Sequence, residues 1–190
     1  PADIHALGHA INHALGSFGQ TVHTIEPVEA MPVNRDASLA ALITDIEAGK
    51  VDTLLILDVN AAYTAPADID VAGALRLVPH SIYLGERADE TAELCHWHIP
   101  AAHEYEMWSD VRAYDGTVTI QQPQLRPLYG GRSTQEILAM LRGEARPDDR
   151  TQLRERWRHA AGAEDFERFW TEALRAGVVP NSAAPPVRVA

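Results

Sequence analysis

Apolar positions recur along this chain with two different periods. Ile4, Leu7, Ile11 and Leu15 keep the spacing of one helix face, and Gly16 stops that helix. Thr21-Val22-His23-Thr24-Ile25 reads as a short strand. After a loop at 27–32, Leu39, Leu42, Ile43 and Ile46 mark a second helix with Gly49 just past its end. The continuous run Leu54-Leu55-Ile56-Leu57 predicts a buried strand. Residues 68–77 predict a helix broken by Pro79, Ser81-Ile82-Tyr83-Leu84 a second core strand, and His96-Trp97-His98-Ile99 a further one. Strands alternating with helices of this length imply crossover connections. The expectation for residues 1–100 is therefore a three-layer, doubly wound α/β fold with a mainly parallel sheet and helices on both faces.

From Pro100 to Gly131 the pattern changes to Gly, Pro and aromatics, as in a long ordered connection on the sheet edge. Within it, Val118-Thr119-Ile120 forms a short alternating strand after the Asp115-Gly116 turn. Ser133 with Glu136 three residues on is a capping-box pattern that launches a helix at 137–141. Leu153, Trp157, Phe166, Phe169, Trp170 and Leu174 place two more helices beyond Gly143. The division expected is an α/β domain at 1–143, a helical extension at 144–179, and a flexible tail at 180–190 with three prolines. The four tryptophans are numerous enough for an interface as well as a core, and the aromatic helices after Asp148 are expected to lie against another domain.

Composition narrows the function classes. A net charge of −11, from 27 acids against 16 Lys and Arg, with no basic stripe, argues against nucleic acid and anionic membrane surfaces as partners. The single cysteine, Cys95, excludes an internal disulfide and a self-contained iron–sulfur cluster, which takes about four thiolates. No apolar run approaches the ~20 residues of a membrane span, so no direct membrane insertion is expected. The chain opens at Pro1 without a Met or a signal segment, as a mature or excised piece of something longer would.

Several short motifs then follow one another in a definite order: Asp58-Val59-Asn60 after the Leu54 strand, Asp89-Glu90-Thr91-Ala92, Ile99-Pro100-Ala101-Ala102-His103, Tyr114-Asp115-Gly116-Thr117, and Gln122-Pro123 through Pro127-Leu128-Tyr129-Gly130-Gly131. As an ordered set, over residues 2–180, they resemble the molybdopterin oxidoreductases. They are closest to the molybdopterin-oxidoreductase-like subunit of alternative complex III, a bacterial respiratory quinol oxidoreductase branch described as keeping the fold without the metal cofactor.

The resemblance implies a formate dehydrogenase/DMSO reductase domain-like fold. It implies a non-catalytic scaffold, with iron–sulfur clusters elsewhere in the same polypeptide, haem c and membrane quinol subunits as partners, and a place on the periplasmic face of the bacterial inner membrane. The alternative it implies is a domain that still binds molybdopterin guanine dinucleotide. Asn60, Glu90, Thr91 and His103 are the family-rim positions that would hold that cofactor.

In an open parallel sheet, ligands bind beyond the carboxyl ends of the strands, which places Asp58-Val59-Asn60, Gly85-Glu86 and Asp89-Glu90-Thr91 on one rim. The wider family has Gly-x-Asn-Pro at the first turn. Here Asn60 is kept, but Asp58 stands for Gly and Ala61 for Pro. A carboxylate and a Cβ thus occupy the place of close backbone approach, and with Glu86, Asp89 and Glu90 the rim presents acids to a pyrophosphate of the same sign. Asp89 or Thr91 can instead cap the short helix that follows.

Cys95, His96, His98, His103 and Glu106 form a metal-like grouping. His96, His98 and His103 would be the zinc ligands, although no Cys-x-x-Cys or His-Glu-x-x-His spacing supports them and packing accounts for them more simply. No catalytic residues are assigned: there is no Gly-x-Ser-x-Gly elbow, and a cysteine before a buried strand is usually inert. Gly130-Gly131-Arg132-Ser133 could bind an anion at a helix start, or could simply be a tight turn.

Overall fold

The computed structural model describes residues 2–29, 33–162 and 165–187, with the side chains at 35 and 36 outside that description. It is a mixed α/β protein. Helices α1 (Ala2–Ala14) and α2 (Arg35–Glu47) precede strand β1 (Thr53–Leu57), short helices α3 (Ala61–Thr64) and α4 (Val71–Leu75), strand β2 (His80–Gly85), helix α5 (Glu90–Leu94) and strand β3 (Trp97–Pro100). Strands β4 (Ser109–Arg112) and β5 (Val118–Gln121) then lead to helices α6 (Thr134–Leu141), α7 (Asp149–Ala161) and α8 (Phe166–Ala176).

β1, β2 and β3 form a parallel sheet in sequence order, with Ile56 opposite Tyr83 and Tyr83 opposite His98. Side chains alternate across a strand, so these three share a face. Ile43 and Ile46 of α2 and Val71, Ala74 and Leu75 of α4 bury that face against Ile56, Tyr83 and Val78. On the opposite face, Leu55, Ile82 and Trp97 align, and Trp97 is 69% exposed. The parallel α/β layer is therefore present with three strands and a buried helical layer on one face.

β4 and β5 make a separate antiparallel ribbon around the Asp115-Gly116 turn. Val118 and Ile120 of β5 form a second core with Leu153 and Trp157 of α7, Phe166, Trp170 and Ala173 of α8, and Val179. Trp157 Nε1 donates to Asp110 Oδ2 at 2.9 Å, fixing α7 to β4. The aromatic helices expected to face another domain pack their apolar sides on this ribbon, and the two clusters share no residue.

Two other expectations change. Residues 21–25 form no strand, only single bridges, Phe18 to Val22 and Ile25 to Pro186. The second bridge shows why, since its partner comes from the far end of the chain. The tail expected to be flexible is tied down as far as 187: Ala184 N donates to Asp115 O at 2.7 Å, Val187 N to Thr24 O at 2.7 Å, and Val118 N to Ser182 Oγ at 2.9 Å. Residues 188–190 of that tail, and residues 30–32 of the expected loop, lie outside the described residues. Among the described residues, no helix is long and apolar enough to cross a membrane.

Candidate functional site

The carboxyl ends of β1 and β2 converge on the start of α5. β1 leaves through Asp58, whose backbone sits in the left-handed region (φ 52) and whose N–H donates to Leu84 O at 2.7 Å. An aspartate tolerates that conformation where most side chains do not. The chain then enters α3 at Asn60.

Here three of the rim residues meet. Asn60 Nδ2 donates to Glu90 Oε2 at 2.7 Å, and Thr91, fully buried, donates its hydroxyl to Asn60 Oδ1 at 2.8 Å. The Thr91 oxygen in turn accepts from Ala62 N at 3.0 Å. Asp89 is the N-cap of α5, its Oδ1 accepting from Thr91 N and Ala92 N at 3.1 Å each, as the capping reading expected. Its other oxygen, Oδ2, accepts from Tyr83 Oη at 2.7 Å. The hydrogen bond from Asn60 holds the Glu90 carboxyl below its usual range. Burial, then Asp89, pushes the Tyr83 phenol far above its usual range.

Most amide donors of α3 and two of α5 are therefore already committed. Ala61 N goes to Val59 O, Ala62 N to Thr91, Tyr63 N and Thr64 N to Asn60 O, and the Thr91 and Ala92 amides of α5 to Asp89. A phosphate bound at a helix start needs those donors free. Asp58, Glu86, Asp89 and Glu90 against the single Arg87 leave the rim with an excess of negative charge. The residues present do not fit the pyrophosphate of a pterin dinucleotide.

His103 does not join the network. Its backbone N–H donates to Glu106 Oε2 at 3.2 Å and its Nδ1 accepts from Tyr105 N at 3.1 Å, within its own loop. The three candidate metal ligands are likewise dispersed. His96 Nδ1 bonds Ser81 Oγ at 2.8 Å, and His98 Nε2 bonds Gly85 O at 2.9 Å while its ring stacks on Tyr83 at 5.5 Å. Among the described residues, no three histidine, cysteine or acidic groups converge as metal ligands would. Cys95 is half-buried, and that burial pushes its thiol up, disfavouring thiolate.

At the helix start after Gly131 the capping box closes on itself: Ser133 Oγ accepts from Glu136 N at 3.1 Å and Ser133 N donates to Glu136 Oε2 at 2.9 Å. Gly131 is required by close approach, since a Cβ there would stand 2.8 Å from Ala101 O. The tight-turn reading of Gly130-Gly131 suffices.

Two recesses lie elsewhere on the surface of the described residues. One, of about 230 Å³, runs beside β1 and is wholly apolar, with Leu39, Leu42, Leu57 and Val59 among its walls. The other, of about 290 Å³, lies over Trp108 with Arg126, Arg150, Glu106 and Asp149 around it. Asp149 accepts from Trp108 N at 2.8 Å, burial raises its carboxyl, and the Arg150 guanidinium lies 5.4 Å over the Trp108 ring. Sequence reading passed over Tyr83 and Asp149, and their signal was weak: a tyrosine near a strand end and an acid in a helix's first turn.

No family model matches the chain, and no curated protein matches it.

Proposed function

We propose that the chain is a non-catalytic scaffold domain of a respiratory quinol-oxidising electron-transfer complex. On this reading it is a relative of the cofactor-binding domain of molybdopterin oxidoreductases in which the cofactor rim has become architecture. The ordered motifs from Asp58 to Gly131 suggest the kinship. The observation that carries the scaffold reading is the network at Asn60: both ends of its amide are engaged by the fold, Nδ2 by Glu90 and Oδ1 by Thr91.

Asp58 adds a carboxylate where a phosphate would need a bare backbone. Electrons are carried by iron–sulfur clusters in another part of the same polypeptide and by the haem c and quinol subunits beside it, on the periplasmic face of the bacterial inner membrane. The domain's contribution is shape, and its acidic surface suits it to protein partners rather than nucleic acid.

The test is elemental analysis of the purified chain, and of the complex that contains it, for molybdenum, tungsten, iron and zinc, with a fluorescence assay for oxidised pterin. The expected result is iron in the complex with neither pterin nor molybdenum in either sample. Pterin or molybdenum at one equivalent would overturn the scaffold reading in favour of a domain that still binds molybdopterin guanine dinucleotide.

A further inference from the structure

α1 stands apart from both cores. None of its residues is buried. Its apolar stripe, Ile4, Leu7 and Ile11 continued by Leu15, is more than half exposed at every position. Beside that stripe run His5, His9 and His13, spaced four apart, so that they follow one another up a single flank of the helix. Residues at this spacing bring their Cβ atoms to about 5–6 Å, the separation at which two imidazoles can close on one ion.

All three histidines are solvent-exposed. None has a hydrogen-bond or ion-pair partner among the described residues, and the one ring contact is His9 stacked on Phe18 at 6.1 Å. Those three rings are therefore freer to ligate than His96, His98 and His103, each of which has its nitrogens or its ring engaged in the fold. The electrostatic setting is favourable too. No Lys or Arg occurs before Arg35, while Asp3 lies on α1 itself and the chain as a whole is strongly acidic.

We propose that α1 is a transition-metal-binding helix in which His5 with His9, and His9 with His13, form two overlapping bidentate sites for a zinc-class divalent ion. Imidazole nitrogens suit zinc and nickel and do not suit magnesium or calcium. Two protein ligands leave the remaining coordination positions to water or to a group from a partner. The site is independent of the scaffold reading and adds to it.

The geometry also couples metal to helix. A helix of 13 residues without tertiary packing is marginal in water. The two imidazoles of a pair are held side by side only when the segment is helical. An ion that binds the helix and not the coil shifts the segment towards helix by mass action. α1 is thus a metal-ordered element, and its apolar stripe becomes a rigid surface when the ion is present.

The experiment is titration of the untagged full chain with zinc chloride and, separately, nickel chloride, followed by isothermal calorimetry and far-ultraviolet circular dichroism. The wild type is expected to bind either ion saturably, with a gain in helical signal, and to ignore magnesium. His9→Ala breaks both pairs. It should weaken binding by at least the roughly 10-fold that losing even an outer partner of a metal ligand costs, and it should abolish the helical gain.

His5→Ala and His13→Ala each leave one pair intact and keep most of the affinity, whereas the double variant matches His9→Ala. Because α1 buries nothing, these variants should unfold at the wild-type temperature, which a melt confirms. Wild-type affinity in His9→Ala, loss of binding in His96→Ala or His98→Ala instead, or zinc binding without a helical gain would each overturn the proposal.

Discussion

Thr91→Val separates architecture from ligand binding at the rim, because it changes one atom's chemistry and almost no volume. The wild-type hydroxyl donates to Asn60 Oδ1 and accepts from Ala62 N in a residue with no solvent exposure. In the valine variant the part-buried Ala62 N–H loses its acceptor on the buried Thr91, and a donor left unpaired away from water costs about 1–3 kcal/mol. The bond to Asn60 adds less, since that side chain is half-exposed and water can replace the donor. Burying a methyl in place of a hydroxyl returns roughly 0.5–1 kcal/mol.

The expected loss is about 2 kcal/mol. That is a fall of roughly 4–8 °C in Tm for a chain of this size. Thr91→Ser keeps both bonds and loses a methyl, for about 1 kcal/mol. The assay is urea denaturation and thermal melting of the ligand-free chain for all three proteins. If serine cost more than valine, or valine raised stability as replacements in ligand sites often do, Asn60 and Thr91 would not be structural partners and the scaffold reading would fail.

Three further outcomes follow from the geometry. Asp110→Ala should cost about 1–3 kcal/mol by leaving Trp157 Nε1 without its acceptor, while Asp110→Asn costs less because an oxygen remains; urea denaturation followed by tryptophan fluorescence checks both. Gly131→Ala should cost about 1–3 kcal/mol, because the added Cβ meets the backbone of Ala101 and Ala102, and a melt within error of the wild type would contradict that close approach. The Tyr83 phenol should keep its proton above its ordinary value, since burial and Asp89 favour its neutral form. The native state then binds that proton more tightly than the unfolded chain does, so its stabilising contribution is complete below the ordinary value of 10.0 and is lost as pH rises above it. Phenolate absorbance, compared with Tyr83→Phe, should show one phenol missing from the titration of the folded chain.

How much of this was legible in the residues depended on how local the cause was. The Ser133 and Glu136 box and the Asp89 cap were readable because the partner of each cap lies within three residues. The strands at Leu54 and Ser81 were readable from their apolar runs. β4 was not, because Ser109-Asp110-Val111-Arg112 has one apolar residue and that one is exposed; only its pairing across the Asp115-Gly116 turn makes it a strand. The aromatic face of α7 and α8 announced burial without announcing its partner, which proved to be β5.

At the rim the residue types were visible, but Asn60 and Thr91 are 31 apart and nothing local says that they close on each other. His103 belonged to the same motif set and folds into a different loop. The row of histidines on α1 gains its weight only from the fold, in which no hydrogen bond or ion pair among the described residues engages those rings.

The outer edge of β1 has one more consequence, for how the chain behaves at concentration. Among the described residues no strand pairs with it, and Leu54-Leu55-Ile56-Leu57 offers four consecutive aliphatic residues beside an apolar recess. Such an edge is a template for a strand from another molecule. Asp52 and Asp58 bracket it, and a carboxylate at each end opposes stacking of like on like. Asp58 is thereby a gatekeeper against self-association, and a chain with both acids neutralised would be expected to precipitate before it unfolds.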